Sequence, residues 1–242
     1  MGLIGCLENT MGTLFTNVGR KLGYDFYNCY NSHPTVWCSL QGFGRLGCGL
    51  DSPESSEALL NIVYPQLKKQ RVIQYGEGSK FDDRKYRFNS VETFFDLKNS
   101  REDDYIHISL GVTTYPEVCA DILRSPADNL MRKAEGRKRH DNEWVYFARS
   151  LGCAFVPVTL DGSVFLGKRD SLLYRGFLNA AAGNVEFHGL PLFVRFYDQA
   201  ISELREEFGR GLELVGDARF AGIATNGHGG DADCVWVGRV NV

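Results

Sequence analysis

Residues 198–209 read DQAISELREEFG and contain three glutamates, Glu203, Glu206 and Glu207. Positions three and four apart are neighbours on a helix, so this spacing predicts that the three carboxylates share one helix face. Apolar residues with the same spacing predict a second stripe that faces a core. These residues are Ala200, Ile201, Leu204 and Phe208. The segment is therefore interpreted as an amphipathic helix whose acidic face points outward or into a cleft.

An acidic helix face has two interpretations. Repulsion between Glu203 and Glu207 costs only about 0.2–0.5 kcal/mol, so a solvated face needs no metal ion. Clustered carboxylates also supply the hard oxygen ligands that Mg²⁺ prefers. Spacing within the helix leaves both interpretations open, and Glu206 can also pair with Arg210.

The segment before the helix predicts a β-hairpin. Residues 153–170, CAFVPVTLDGSVFLGKRD, hold two apolar runs around Asp161 and Gly162. Asp-Gly between such runs is a strong hairpin signal. A glycine-containing loop follows in residues 171–186, SLLYRGFLNAAAGNVE, and two strand-like segments close the chain, GLELVGDARFAGIAT and DCVWVGRVNV.

The first half of the chain carries weaker signals. We predict strands over residues 84–95 and 105–110 and a helix near residues 116–123. RKAEGRKRH, residues 132–140, is interpreted as a basic, glycine-containing linker or loop. NEWVYFARSLG, residues 142–152, predicts an amphipathic helix that ends at its glycine.

Composition is typical of a globular protein with a core: 242 residues, 43% hydrophobic and 24% charged. The formal net charge of −3 gives no overall attraction to nucleic acid or anionic membranes, so we expect no specific nucleic-acid partner. No apolar run is long enough to span a bilayer. The seven cysteines are widely spaced and form no C-x-x-C pair. We therefore expect a cytoplasmic or other reducing intracellular compartment.

The hairpin, the glycine-containing loop and the glutamate helix, in that order, resemble the Nudix hydrolases. The box of that family reads R-E-U-x-E-E-x-G-U, where U is aliphatic. The matching positions here are Glu203, Leu204, Glu206, Glu207 and Gly209. AGNVE, residues 182–186, is similar to the GGxVE that enters the box. The resemblance covers roughly residues 150–242.

This resemblance implies a fold of the α/β (α+β) class, an α/β/α sandwich around a mixed sheet. Residues 141–242 would form the hydrolase core, and residues 1–140 an N-terminal extension packed on it. It also implies that Glu203, Glu206 and Glu207 bind Mg²⁺ or Mn²⁺, and that Glu207 and Glu203 are the catalytic residues.

Cleavage of a diphosphate also requires cations from the protein that hold the phosphates. Arg169 and Arg175 lie near the box, and arginine can grip phosphate through two nitrogens. Gly183 and Glu186, in the loop that enters the box, complete the predicted substrate-binding set.

The implied function is Mg²⁺-dependent hydrolysis of a nucleoside diphosphate linked to another moiety. Two segments resemble the branch of this family that cleaves UDP-glucose: residues 105–118, YIHISLGVTTYPEV, and the hairpin. This resemblance favours a UDP-sugar as the substrate. One alternative is a catalytically silent Nudix-like binding or scaffold module, because Ser202 replaces the arginine of the box and Ala182 its first glycine. The other is an RNA 5′-end pyrophosphohydrolase, supported by the basic residues 132–140.

Overall fold

The computed structural model describes residues 24–28, 35–40, 84–94, 105–168, 176, 178–189, 191, 193–227 and 229–241. The larger sheet contains six strands: Tyr24–Asn28 (β1), Leu151–Thr159 (β5), Ala181–Asn184 (β8), Glu213–Leu214 (β9), Arg219–Asn226 (β10) and Ala232–Asn241 (β11). Their order is β1-β10-β11-β5-β8, and β9 pairs with β11. The pair β11 and β5 is parallel and the others are antiparallel, so the sheet is mixed.

A smaller sheet has the strand order β2-β4-β3, where the strands are Thr35–Leu40 (β2), Arg84–Phe94 (β3) and Tyr105–Thr114 (β4). A short pair joins Gly167–Lys168 (β6) and Leu178–Asn179 (β7). The described helices are Tyr115–Leu123 (α1), Pro126–His140 (α2) and Phe193–Phe208 (α3). The predicted α+β class and mixed sheet are confirmed. Within these described ranges, no helix is long and apolar enough to cross a membrane.

The two sheets meet along β3. The backbone N–H of Tyr86 donates to the carbonyl of Val185 at 3.2 Å, and the N–H of Phe187 donates to the carbonyl of Arg84 at 2.8 Å. A strand from the first half of the chain therefore lies beside the segment that follows β8.

One hydrophobic core is shared by both halves of the chain. It takes Tyr86, Phe88, Ile106, Ile108 and Leu110 from the smaller sheet and Leu151, Cys153, Phe155, Phe196, Leu204, Cys234 and Trp236 from the rest. The predicted boundary between residues 140 and 141 thus separates segments that pack against one another. Cys153 and Cys234 are buried in this core as thiols, where they pack as small hydrophobic residues.

Helix α3 buries its apolar stripe on strands β5 and β8. Phe196, Ala200 and Leu204 are almost fully buried, and Phe196 packs edge-to-face on Tyr86 with ring centroids 5.8 Å apart. Full burial of a Leu or Phe side chain contributes about 1.5–3 kcal/mol. The predicted helix and its apolar stripe are confirmed, and the stripe fixes which way the glutamate face points.

The Asp-Gly turn forms as predicted. Gly162 adopts a left-handed φ of 90°, which glycine tolerates because it has no Cβ. The N–H of Gly162 donates to the carbonyl of Thr159 at 3.0 Å, and the N–H of Thr159 donates to the carbonyl of Ser163 at 2.8 Å.

Two predictions for residues 132–152 are wrong. Residues 132–140 are helical and belong to α2, whose N-cap is Ser125. Gly136 is required there by close packing, since an added Cβ would lie 2.6 Å from the carbonyl oxygen of Asn142. The predicted helix over residues 142–152 is instead a turn followed by β5. Arg149 has a left-handed φ of 49° that ends any helix, and its guanidinium is held by distant carbonyls.

Candidate functional site

Glu203 lies on the face of α3 that meets strand β8. Its carboxylate occupies the space beside Gly183, where an added Cβ would overlap the Glu203 oxygen Oε1. Nε2 of Gln199, one helical turn earlier, donates to the same oxygen at 2.6 Å. The predicted site residues Glu203 and Gly183 are therefore in direct contact, and a glycine at 183 gives the carboxylate its room.

The surroundings of Glu203 disfavour its ionised form. Burial raises the pKa of this carboxyl, and the negative charges of Glu206 and Glu207 raise it further. The hydrogen bond from Gln199 and the positive charge of Lys85 act in the opposite direction on the pKa. The three predicted metal ligands are thus close enough to repel one another.

Glu206 and Glu207 are exposed at the C-terminal end of the helix. Oγ of Ser202 donates to Oε1 of Glu206 at 3.1 Å, so the residue that replaces the arginine of the box holds a glutamate along the helix. In the part of the chain that the structure describes, no three His, Cys, Asp or Glu side chains are gathered closely enough to hold a metal ion. A cation held by all three glutamates would therefore require their carboxylates to move closer together.

The donor set nevertheless suits a divalent cation. Carboxylate oxygens are the ligands that Mg²⁺ and Mn²⁺ favour. The raised pKa of Glu203 reflects its burial first and the negative charges of Glu206 and Glu207 second, and a bound cation would offset those charges. The residues that would hold the ion are Glu203, Glu206 and Glu207.

Glu186 lies in the segment after β8 and pairs with a buried lysine, Lys85. Lys85 forms an antiparallel bridge with Glu186, and its Nζ lies 3.5 Å from the Glu186 oxygen Oε1. The Lys85 side chain is 6% exposed and that of Glu186 is 33% exposed. Nε2 of His188 lies 3.9 Å from the other oxygen of Glu186. The predicted substrate-binding residue Glu186 is therefore paired within the protein.

Arg169 and Arg175, the predicted phosphate-binding residues, lie outside the described residues. The structure shows two cationic side chains near Glu186 and Phe187 that the sequence analysis does not predict. Lys85 is buried beside Glu186, and the guanidinium of Arg84 lies over the Phe187 ring at 4.9 Å from its centroid. No local pattern in the sequence could have found them, because the pairing joins Arg84, Lys85 and Tyr86 of β3 to residues 185–187, which are far away in the chain.

A second polar cluster lies on the outer face of the smaller sheet. Oγ of Ser39 is 2.7 Å from Nε2 of His107, and Nδ1 of His107 is 3.6 Å from a Glu92 oxygen. The exposed Trp37 stacks on the His107 ring with centroids 4.1 Å apart. The Trp37, His107 and Glu92 positions are register partners across three adjacent strands, so the cluster is a cross-strand row that stabilises the sheet.

Among protein-family models and curated proteins, none matches this sequence significantly. The likeness to Nudix hydrolases therefore rests on the residues of the glutamate helix and the loop before it.

Proposed function

We propose that this protein is a divalent-cation-dependent pyrophosphohydrolase that cleaves a nucleoside diphosphate linked to another moiety, of the UDP-sugar type. One observation carries the proposal. Glu203 is held half-buried against Gly183, within electrostatic reach of both Glu206 and Glu207. A purely solvated acidic face gives no reason to enclose one of its carboxylates among like charges.

Glu203, Glu206 and Glu207 would hold Mg²⁺ or Mn²⁺ together. The bound ion would neutralise charge on the phosphate oxygens and lower the pKa of a water molecule. The protein itself orients the site: Gln199 donates a hydrogen bond to one oxygen of Glu203, and the buried stripe of α3 holds the helix on β5 and β8.

Proton removal from the attacking water is assigned to Glu203 or Glu207. Burial raises the pKa of Glu203, which makes its carboxylate a stronger base than an exposed glutamate. Glu207 is exposed, so it can reach water without rearrangement of the core. Arg169 and Arg175 remain the proposed phosphate-binding residues.

One observation favours the silent-module alternative. Ser202 occupies the place of the arginine of the box and hydrogen-bonds Glu206, which draws that carboxylate along the helix. A module that binds a nucleotide without cleaving it would tolerate this arrangement.

The RNA 5′-end alternative receives less support. Within the basic residues 132–140, Arg137 donates from Nε to Glu143 at 2.8 Å, and Arg139 pairs with Glu135. Lys133 is buried and donates to the carbonyl of Gly227. Cations engaged in this way contribute less to phosphate binding than free surface cations do.

A product-release assay separates these functions. UDP-glucose, ADP-ribose and capped RNA are each incubated with the full chain, with and without Mg²⁺. We expect Mg²⁺-dependent cleavage, with the highest rate on UDP-glucose, and a loss of about a hundredfold or more in Glu207→Gln. Glu213→Gln, which removes an exposed carboxylate on β9, is the matched control and should retain wild-type turnover. Equal background rates in all three proteins would refute the enzymatic proposal.

A further inference from the structure

Lys85 is a buried cation whose charge is shared between two carboxylate-bearing elements. Strand β3 places it directly opposite Glu186, and its Nζ lies 3.5 Å from that carboxylate. Its charge also acts favourably on the Glu203 carboxylate on α3. A buried ammonium is costly without opposite charge nearby, so these two glutamates are what keep Lys85 in place.

We infer that Lys85 is the resident counter-cation of the glutamate site, and that it makes the site select a metal–diphosphate complex over the free metal ion. This inference rests on the proposed function. It makes Lys85 a positioning residue, acting through the charges of Glu186 and Glu203, because its enclosed side chain leaves little surface for substrate contact.

The direction of the effect follows from charge alone. Glu186, Glu203, Glu206 and Glu207 carry four negative charges when ionised, and Lys85 offsets one of them. A free divalent cation is repelled by the ammonium, whereas an anionic diphosphate is attracted by it. Removal of the lysine charge should therefore strengthen the binding of metal alone and weaken the binding of diphosphate.

These opposite changes amount to coupling between two ligands. With Lys85 present, metal and diphosphate each bind better when the other is bound. The reason is that their opposite charges partly cancel, so the pair adds less net charge to the site than either ligand alone. Without the lysine, the repulsion between its ammonium and a free metal ion disappears, so the metal alone binds more tightly. A residue that only supports packing would weaken both ligands together and would leave no such opposition.

The test is calorimetry on the full chain with two probes, Mn²⁺ alone and the non-hydrolysable diphosphate α,β-methylene-ADP at saturating Mn²⁺. Lys85→Met removes the charge at similar size, and Lys85→Arg keeps it. We expect Lys85→Met to bind Mn²⁺ alone several-fold more tightly and α,β-methylene-ADP about tenfold more weakly. Lys85→Arg should keep wild-type affinity for both probes. Lys85→Gln, which also removes the charge, should show the same opposite changes as Lys85→Met and provides the test if the Met variant fails to fold.

Three results would overturn the inference. The first is that Lys85→Met binds both probes more weakly than wild type, and the second is that it binds both with wild-type affinity. The third is that Lys85→Arg shows the pattern expected for Lys85→Met. If the wild type binds Mn²⁺ through the helix glutamates but Lys85→Met behaves like wild type, only this inference fails. If the wild type does not bind Mn²⁺, the proposed function fails with it.

Discussion

The carboxylate of Glu203 fills the space that a side chain at Gly183 would need. This contact joins the two parts of the sequence that resemble the Nudix box, the loop and the helix. It also explains why β8 has a glycine at this position, although the residue before it, Ala182, differs from the pattern of the Nudix box.

Gly183→Ala should displace Glu203 and lower Mn²⁺ affinity by tenfold or more. The clash involves the far end of a flexible side chain, so the Glu203 carboxylate can swing away. The expected loss of stability is then only about 0.5–1.5 kcal/mol, that of the hydrogen bond to Gln199. Gly211→Ala is the control, because an added Cβ there meets no atom within 4 Å. Equal Mn²⁺ affinity in the two variants would contradict the contact's role.

Glu203→Gln should separate stability from activity. Burial and the neighbouring carboxylates disfavour an ionised Glu203, as the raised pKa indicates. A neutral amide of similar size removes that penalty, so urea unfolding at pH 7 should give a free energy at least equal to that of wild type. Hydrolysis should fall by about a hundredfold, since a proposed metal ligand and one of the two candidate bases are lost. A variant that is clearly less stable and fully active would count against a functional site.

Asp231 should give the folded state a pH dependence. Burial raises the pKa of Asp231 from 3.8 to about 7, and the charges of Asp233 and Asp121 add to the effect. The folded state therefore holds this proton more tightly than the unfolded chain, and the stabilising contribution, complete below pH 3.8, is lost as the pH rises to about 7.

The measurement is urea unfolding across that pH range, with Asp231→Asn compared with wild type. The difference in unfolding free energy should grow in favour of the variant as the pH rises. Asp217→Asn, at an exposed position, should follow wild type throughout. A constant difference between Asp231→Asn and wild type would show that the carboxyl titrates normally.

Helix α2 should bind RNA only weakly and without sequence preference. Arg137 and Arg139 are paired with glutamates, and the net charge of the chain is −3. Filter binding at rising salt should show a steep loss of affinity. Tight binding at physiological salt that disappears when Arg137, Lys138 and Arg139 are all neutralised would overturn this expectation.

Local patterns explain which parts of the fold were predictable. The stripe on α3 and the turn at Gly162 depend on residues within a few positions of one another, so periodicity and turn chemistry identify them. The segment 142–152 has helix-like apolar spacing, but Arg149 is held in a left-handed conformation by bonds to the carbonyls of Gly230 and Asn89. Tertiary contacts of this kind leave no trace in local sequence.

The candidate site also contains residues that local sequence patterns predict and residues that they do not. The glutamates of α3 were found because a helix repeats every 3.6 residues. Lys85 was not found, because only the register between β3 and residue 186 brings it to the site. The hydrogen bond from Ser202 to Glu206 also depends on side-chain orientation that sequence spacing does not specify.

Calorimetric titration of Mn²⁺ in the presence of α,β-methylene-ADP tests the central claim most directly, that the glutamates of α3 hold a divalent cation for diphosphate chemistry. Wild type is compared with the double variant Glu206→Gln plus Glu207→Gln, and Glu213→Gln serves as the control. We expect saturable Mn²⁺ binding in wild type and the control, and a loss of affinity of tenfold or more in the double variant. Equal Mn²⁺ binding in all three proteins would contradict it.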